Sequence, residues 1–483
     1  MAARQRSRLV PLGWVLVAIA FVLTLHGTVN HDFAGDALWH FKNGEWIFRH
    51  GHVPLHDHFS WTMRGYHWQD SEWLFDLLLY LSYRAGGFYG MVLLVAFWAA
   101  LSVAAGYRLA REAGAGRIWA GVLTLVFVSQ LGLLIRFRPQ DISYGLFAVL
   151  LLLLQRYHAT GRPRYLWWIA PLTLFWANAH ASFILAPLFV GLELVLNLRP
   201  WRLGRMAVRP APGPKRWAWP AFLATAAAGA ANPSGLGAYA YPFVLSADRY
   251  VRNNIQEWQA PNFHNPFFMG ELLLVLLSLA PVLWRRDDLD LRALFYLGGL
   301  TLAFVQGLRF LPYLLIYLPA FVAGFRLPVF SRLRESPWLN GALLVLPVLL
   351  LAHFWPPPSL AANMKPAAPL AAIRYIRQHH LDRRMFNGYR YGNYLIFSGL
   401  PSFVDGRADL YMQKNVLKDY LRLTSLQVFP DRILNKYSIR YVFFPRHTPL
   451  VHVLRHDPVW RVIYRGKEAV IFARSGRQSG RGG

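Results

Sequence analysis

HDFAGDALWHFKNGEWIFRHGHVPLHDHFSWTMRGYHWQDSEW, residues 31–73, follows directly on the first hydrophobic segment and decides how the whole chain is read. It is dense in Asp, Glu, His and Trp, while the sequence on both sides is apolar. A connection between two membrane spans needs only a few residues. A long loop of this composition is instead expected to be a folded extramembrane platform, and long ordered loops are usually functional. The stretch is read as the floor of an active site. The segment 72–84, with Glu72, Asp76 and Arg84, reads as an amphipathic helix lying on the membrane at its end.

The bulk composition supplies the membrane. Of 483 residues, 55% are hydrophobic and 16% aromatic, too apolar for an ordinary soluble chain. The 19 Trp and 23 Tyr suit interfacial belts, where amphipathic rings sit at headgroup level. Net charge is +27, from 51 Lys+Arg against 24 Asp+Glu. Much of that excess lies in short loops between hydrophobic segments, so membrane topology explains it better than nucleic acid. The chain has no cysteine, which excludes disulfides, thiolate metal sites and cysteine nucleophiles. It shows no GxGxxG, P-loop or HExxH string and no repeat of fixed period, so nucleotide and zinc chemistry of those kinds is not expected.

Apolar segments of spanning length fall at 9–29, 88–107, 117–135, 141–157, 164–178, 181–197, 217–231, 268–284, 291–307, 309–325 and 338–355. The expectation is a polytopic α-helical membrane protein with about eleven transmembrane helices. The first segment is too long for a signal peptide and lacks a small-x-small cleavage site, so it reads as an uncleaved span with its basic end in the cytoplasm. Five basic loops fit that orientation under the positive-inside rule: Arg108–Arg117, Arg156–Arg164, Arg199–Arg216, Arg285–Arg292 and Arg326–Arg334. The alternate connections then face outward: 30–87, 136–140, 178–181, 232–267 and the turn near Arg309. The last span delivers 356–483 to the same side.

That tail reads as a small α/β domain over 356–474, following a membrane domain over 1–355 that includes the outer loop 31–87. A helical pattern covers 367–380, and strand-like runs fall at 403–405, 441–444, 460–464 and 469–473. The end, 475–483, has the composition of a disordered segment. The tail carries 21 Lys+Arg against 7 Asp+Glu, a surface suited to anionic lipids or an acidic glycan.

The outward connections collect the polar residues that can carry chemistry, and ionisable groups at membrane boundaries default to a functional reading. Asp36, after Gly35, is the first catalytic candidate; its other reading is the N-cap of a helix running to about Arg49. Asp32, His40, Glu45, Asp57, Asp70 and Glu72 share its loop. Arg136 and Arg138 in RFRPQD can grip a phosphate with guanidinium geometry, or can be snorkelling at the interface. Asp141 is a second carboxylate or the cap of the helix after Pro139. Asn178, His180 and Ser182 lie in WANAHASF, and Asn232 and Pro233 in the next outer loop. Glu257 and Trp258 follow, the indole suited to stacking on a sugar, and Arg309 lies at the next outer turn. Asp405, Arg407 and Asp409 in DGRADLY offer either a binding group or a turn and helix start.

These residues carry a resemblance. The layout, and the string Asp36, Trp39, Gly44, Ile47, Gly51, Pro54 followed by Asp57, Ser60 and Glu72-Trp73, resembles bacterial members of the GT-C superfamily. These are polytopic glycosyltransferases that take sugars from polyprenyl-phosphate carriers. RPQ, WANAHASF, NPSG, EW and DGRADLY are similar to strings in uncharacterised proteins of that kind, and Gly44 is displaced by one residue from the usual pattern. The resemblance implies Asp36 as general base and Asp141 as a second catalytic acidic group. It implies Arg136, Arg138 or Arg309 on the carrier phosphate, with Glu72, Asn178, His180, Glu257 and Trp258 as substrate-binding residues. It places the chain in a bacterial inner (plasma) membrane with the tail periplasmic or extracellular. Partners would be the polyprenyl-phosphate sugar donor, membrane lipids and a glycan, lipid or protein acceptor. No cofactor is required by the sequence; hard carboxylates suit Mg²⁺ or Mn²⁺, but the first loop lacks an adjacent DD, ED or DxD. A flippase of a lipid-linked sugar and a non-catalytic subunit with the same fold are the alternatives. The first is disfavoured by the lack of inverted repeats; the second is left open because fold does not establish activity.

Overall fold

Helix Asp36–His50 forms where the sequence predicts it. It has an acid in its first turn and ends at Gly51, whose left-handed φ of 73° lets its N–H reach the carbonyl of Ile47 at 2.8 Å. Asp36 is the first helical residue and not the cap: Gly35 holds the N-cap position, with φ 60° and no side-chain cap bond. The computed structural model describes residues 10–29, 33–199, 201–204, 206–212, 215–280, 282–285, 290–325, 328, 335–357, 359–364 and 368–475. His31, Asp32, Arg205, Arg286, Arg326, Arg332, Arg334 and 476–483 lie outside the described residues, and with them the basic loop 326–334 and most of the segment read as disordered.

The chain divides into two compact units, one made of Met1–Asp32 and Ser82–Ser359, the other of Phe33–Leu81 and Leu360–Gly483. The first is helical. Among its described residues, Leu311–Ala323 is apolar all round and almost wholly buried, so it forms the centre of the packing. It lies against Pro139–Thr160, Arg117–Phe127 and Leu291–Gln306. Tyr313 sets its ring edge-on to Tyr144 and Phe147, at 5.8 and 5.1 Å between centroids.

Among the described residues, three helices are long and apolar enough to cross a membrane: Trp73–Glu112, Pro139–Thr160 and Ala181–Leu198. Seven shorter apolar helices of 10–17 residues occupy most of the other predicted spans. The segment 164–178 is divided into Arg164–Trp167 and Ile169–Ala179. Helix Trp73–Glu112 leaves helical dihedrals at Gly86 and Gly87, between the amphipathic segment and the span that the sequence separates there.

In the second unit the loop and the tail share one structure. The sheet contains β1 (Met385–Asn387), β2 (Tyr441–Pro445), β3 (Trp460–Arg465) and β4 (Ala469–Arg474), in the order β1-β2-β4-β3. β1 runs parallel to β2, with Met385 opposite Tyr441, and the remaining pairs are antiparallel. Val442, Phe443, Val470, Ile471 and Phe472 are fully buried in its centre. The expected helix at 367–380 is Leu370–Gln378, and three of the four expected strands form. The fourth, 403–405, is not a strand. Its backbone is taken by a buried side chain: the Phe403 N–H donates to Asn387 Oδ1 at 2.6 Å, and Asn387 Nδ2 donates to the Val404 carbonyl at 2.8 Å.

Helix Asp36–His50 packs on helix Tyr389–Phe397, with Phe33 and Phe41 against Phe397 at 5.9 and 5.6 Å. Gly44 is needed on its other face, because a Cβ there would lie 1.9 Å from the Asp76 carbonyl oxygen. The loop then threads onto the tail: Trp61 N–H donates to the Ser402 carbonyl at 3.0 Å, and Thr62 Oγ1 to that of Phe403 at 2.6 Å.

A buried charge cluster closes this arrangement. Arg407 donates through Nε and Nη2 to the two oxygens of Asp405, both at 2.8 Å, and through Nη1 to Asp57 at 2.6 Å. Its side chain is 1% exposed and both carboxylates are fully buried. Trp68 and Phe59 lie under the guanidinium at 4.7 and 5.2 Å. Removing one member of such a set leaves an uncompensated buried charge, which costs about 3–5 kcal/mol. Arg407→Met should therefore lower the melting temperature of the purified protein by several degrees or prevent folding. An unchanged melting curve would show that the cluster does not hold the unit together.

Candidate functional site

The predicted residues fall into two groups, one in each unit. In the first unit the turn 134–139 is built by Asp141. Its carboxylate accepts the backbone N–H of Arg138 at 3.0 Å and of Arg136 at 3.4 Å, and Arg138 caps helix Pro139–Thr160. The capping reading of Asp141 thus has a geometric basis, and between the two arginines Phe137 is held at a φ of 55°. Arg138 reaches Glu257 at 3.4 Å; the pair is partly exposed and contributes little to stability. The next residue, Trp258, carries the Arg309 guanidinium over its ring at 3.8 Å. An open cavity of about 410 Å³ lies beside it, lined by Arg252, Asn253, Trp258, Gln259, Ala260 and Gln306.

His180 is buried, and its Nδ1 lies 2.9 Å from Ser143 Oγ and 2.7 Å from Ser182 Oγ. Trp176 Nε1 donates to both serines, at 3.0 and 3.2 Å. Asn178 donates to the carbonyl of Ala231, tying the end of helix Ile169–Ala179 to the NPSG turn. Arg138, Glu257, Trp258 and Arg309 thus form one chain of neighbours, while the Arg136 guanidinium turns back to the carbonyls of Gly132 and Ile135 at 3.3 and 2.9 Å, and His180 and Asn178 brace turns of the same unit.

In the second unit, Asp36, Trp39, His40 and Asn43 recur at helical spacing and share one side of helix Asp36–His50. Asp36 is partly exposed, and its Oδ1 accepts Asn393 Nδ2 at 3.4 Å. His40 Nδ1 lies 2.6 Å from Asp76 Oδ1, and its Nε2 lies 3.7 Å from Glu72. Asn43 Nδ2 donates to Asp70 and to Asp76, both at 2.7 Å. Burial, reinforced by the neighbouring Asp76 carboxylate, pushes Asp70 up to about 8. Burial alone would also raise Asp405, but the Arg407 charge and its hydrogen bonds hold it below the usual carboxylate range.

Two residues that sequence reading passed over, Asn387 and Asn393, organise the loop around DGRADLY; an asparagine among aromatics gives no periodic or motif signal. Asp57 and Asp405 were legible as polar outliers, but both are engaged in structure, by Arg407 and by donors of their own turns. Among the described residues, no group of three or more His, Asp or Glu side chains is arranged to hold a metal ion. Asp141 is engaged by two backbone N–H groups and Glu257 by Arg138, so no step is assigned to Mg²⁺ or Mn²⁺.

The chain shares its fold with a solved archaeal oligosaccharyltransferase. The chain matches the apo oligosaccharyltransferase of Archaeoglobus fulgidus with a TM-score of 0.56 at 12% identity, over 96% of this chain and 75% of that one. The same protein tethered to an acceptor peptide containing the NVT sequon gives 0.57 at 11%, over 96% and 74%. The A. fulgidus protein AglB, in complex with an inhibitory peptide and a dolichol-phosphate, gives 0.56 at 11%, again over 96% and 74%. No protein-family profile and no curated protein matches the sequence. At these identities it is the fold that is shared.

Asp70 supplies a pH test. Its carboxyl titrates near 3.8 ordinarily and about 8 in the folded chain, so the folded state keeps a proton that the unfolded state releases in between. That contribution is fully present below about pH 4 and is lost as pH rises through about 8. The melting temperature should fall across this window, and Asp70→Asn should flatten the slope. An identical slope in the variant would show that Asp70 is not the group responsible.

Proposed function

We propose that this chain is a membrane glycosyltransferase that moves a sugar from a polyprenyl-phosphate-linked donor to a lipid, glycan or protein acceptor. The observation that carries this reading is the match over 96% of the chain to an oligosaccharyltransferase, a protein solved with a dolichol-phosphate and with peptide. Asp36 is the base. It takes the proton from the acceptor as the acceptor atom bonds to the anomeric carbon, while the bond from that carbon to the carrier phosphate breaks. Arg136, Arg138 and Arg309 take up the charge on the departing phosphate. For Arg138 this means exchanging Glu257 for the phosphate. Trp258 and Glu257 contact the sugar, and His180 and Asn178 fix the turns beside them. Asp141 orients the two arginines through their backbone, and Glu72 belongs to the polar face that continues from Asp36.

On this reading the ten apolar helices among the described residues and the divided segment 164–178 are the membrane crossings. The chain then sits in a bacterial plasma membrane with its N-terminus cytoplasmic and the tail outside. A reporter fused after residue 360 should be active only on the outer face, and cytoplasmic activity would overturn this topology. For the chemistry, labelled sugar transfer from a panel of polyprenyl-phosphate sugars to native membrane extract is the direct measurement. Asp36→Asn should lower kcat on the order of 10²–10⁴-fold at equal folded expression. Transfer that survives the change would remove Asp36 as the base. Tight carrier binding without transfer from any donor would favour a flippase or a non-catalytic subunit.

A further inference from the structure

The loop 405–407 meets Asp36 from the tail side, and the contact is shaped around one carboxamide and one missing side chain. Asn393, 2% exposed, accepts the Gly406 N–H on its Oδ1 at 2.7 Å. That bond fixes the amide orientation, because an amide oxygen accepts and only the nitrogen can donate. Its Nδ2 is thereby turned toward Asp36 Oδ1, at 3.4 Å. Gly406 in turn lies flat against the carboxylate. A Cβ on it would stand 2.3 Å from Asp36 Oδ1, 3.0 Å from Trp39 Nε1 and 3.1 Å from Asn393 Nδ2. No other residue type fits there without moving the acid. The carbonyl of Gly406 is also held, by the Tyr389 hydroxyl at 3.2 Å. Burial, with Asp36 nearby, pushes that hydroxyl well above its usual range, so it stays a donor. Asp405 and Arg407 flank Gly406, locked to each other, with Arg407 also held by Asp57.

We infer that Asn393 and Gly406 are positioning residues for Asp36, so that the tail helps to build the catalytic centre and is not an accessory module. This rests on the reading of Asp36 as the base. A hydrogen bond to Oδ1 and a rigid glycine surface fix both the direction and the distance at which the carboxylate meets an acceptor. A displacement of about 1 Å in a reacting group lowers rate on the order of 10²-fold. Donor binding by the arginines of the other unit does not depend on it. The effect therefore belongs in kcat and in the titration of the base, and not in KM for the donor.

The test uses the full-length protein in detergent or nanodiscs, with donor-saturation curves and pH profiles of transfer for wild type, Asn393→Ala, Asn393→Asp, Gly406→Ala and Asp36→Asn. Asn393→Ala and Gly406→Ala should lower kcat on the order of 10–100-fold with KM for the donor within about twofold. Asn393→Asp sets a second carboxylate beside Asp36, so the acidic limb of the kcat profile should move upward by about one pH unit or more. A residue that merely stabilised the fold would lower melting temperature without moving that limb. If Gly406→Ala does not fold, the two Asn393 variants decide. Wild-type kcat and an unmoved limb in both, alongside an inactive Asp36→Asn, would overturn the positioning role and leave the base assignment standing. Full transfer by Asp36→Asn would overturn the base assignment, and this inference with it.

Discussion

Arg407 is held with almost no water between two carboxylates that come from opposite parts of the chain, and the second unit depends on that arrangement. Desolvating three charged groups is unfavourable, and a buried pair is weak as a source of net stability. What the cluster supplies is definition. Asp57 is satisfied only when the loop 51–72 reaches the tail, and Arg407 has its three charge-assisted bonds only when the loop 402–411 closes around it. Ser60 and Phe59 donate backbone N–H groups to Asp57, while Ser402 and Tyr411 donate hydroxyls to Asp405. Each carboxylate thus organises its own turn before it meets the arginine. The sharp path of both turns follows from this, and so does the approach of Gly406 to Asp36.

Polar side chains extend from this point along helix Asp36–His50. Asp36 is partly exposed, the Trp39 and His40 rings lie tilted against each other with centroids 3.6 Å apart, and Asn43 ends in contact with two buried carboxylates. A helix so loaded on one side is marginal by itself and gains its order from packing. Here the packing comes from Phe33, Phe41 and Phe397 and from the close approach at Gly44. The first unit solves a similar problem differently, using Asp141 to fix the backbone of two arginines while leaving their guanidinium groups for other partners.

Hydrophobic runs made the helical unit legible, because burial in lipid or in a helical core demands long apolar segments. The strands at 441–444, 460–464 and 469–473 were legible for the same reason, as short runs rich in β-branched and aromatic residues. Residues 403–405 looked alike and differ, since consecutive Phe403 and Val404 are both buried and Asn387 replaces a neighbouring strand. That substitution of a side chain for a ladder has no local sequence pattern. In the candidate site, the carboxylates and arginines were visible as costly polar residues, but their partners were not. Arg407 with Asp57 is a pairing across most of the chain, and Asn393 became important only through the orientation of its amide. Local sequence sets residue type; long-range pairing sets role.

The separation between Asp57 and Arg407, 350 residues, has a bearing on biogenesis. Chains emerge from the ribosome in order, at about 5–20 residues per second. The loop carrying Asp36 and Asp57 therefore appears early and must wait while the intervening helices are made. During that interval Asp57 lacks its arginine, and a chain that stops before residue 407 never supplies it. The second unit is in this sense a completion check, in which the acid-bearing loop acquires its native surroundings only when residues 360–475 have been made and folded.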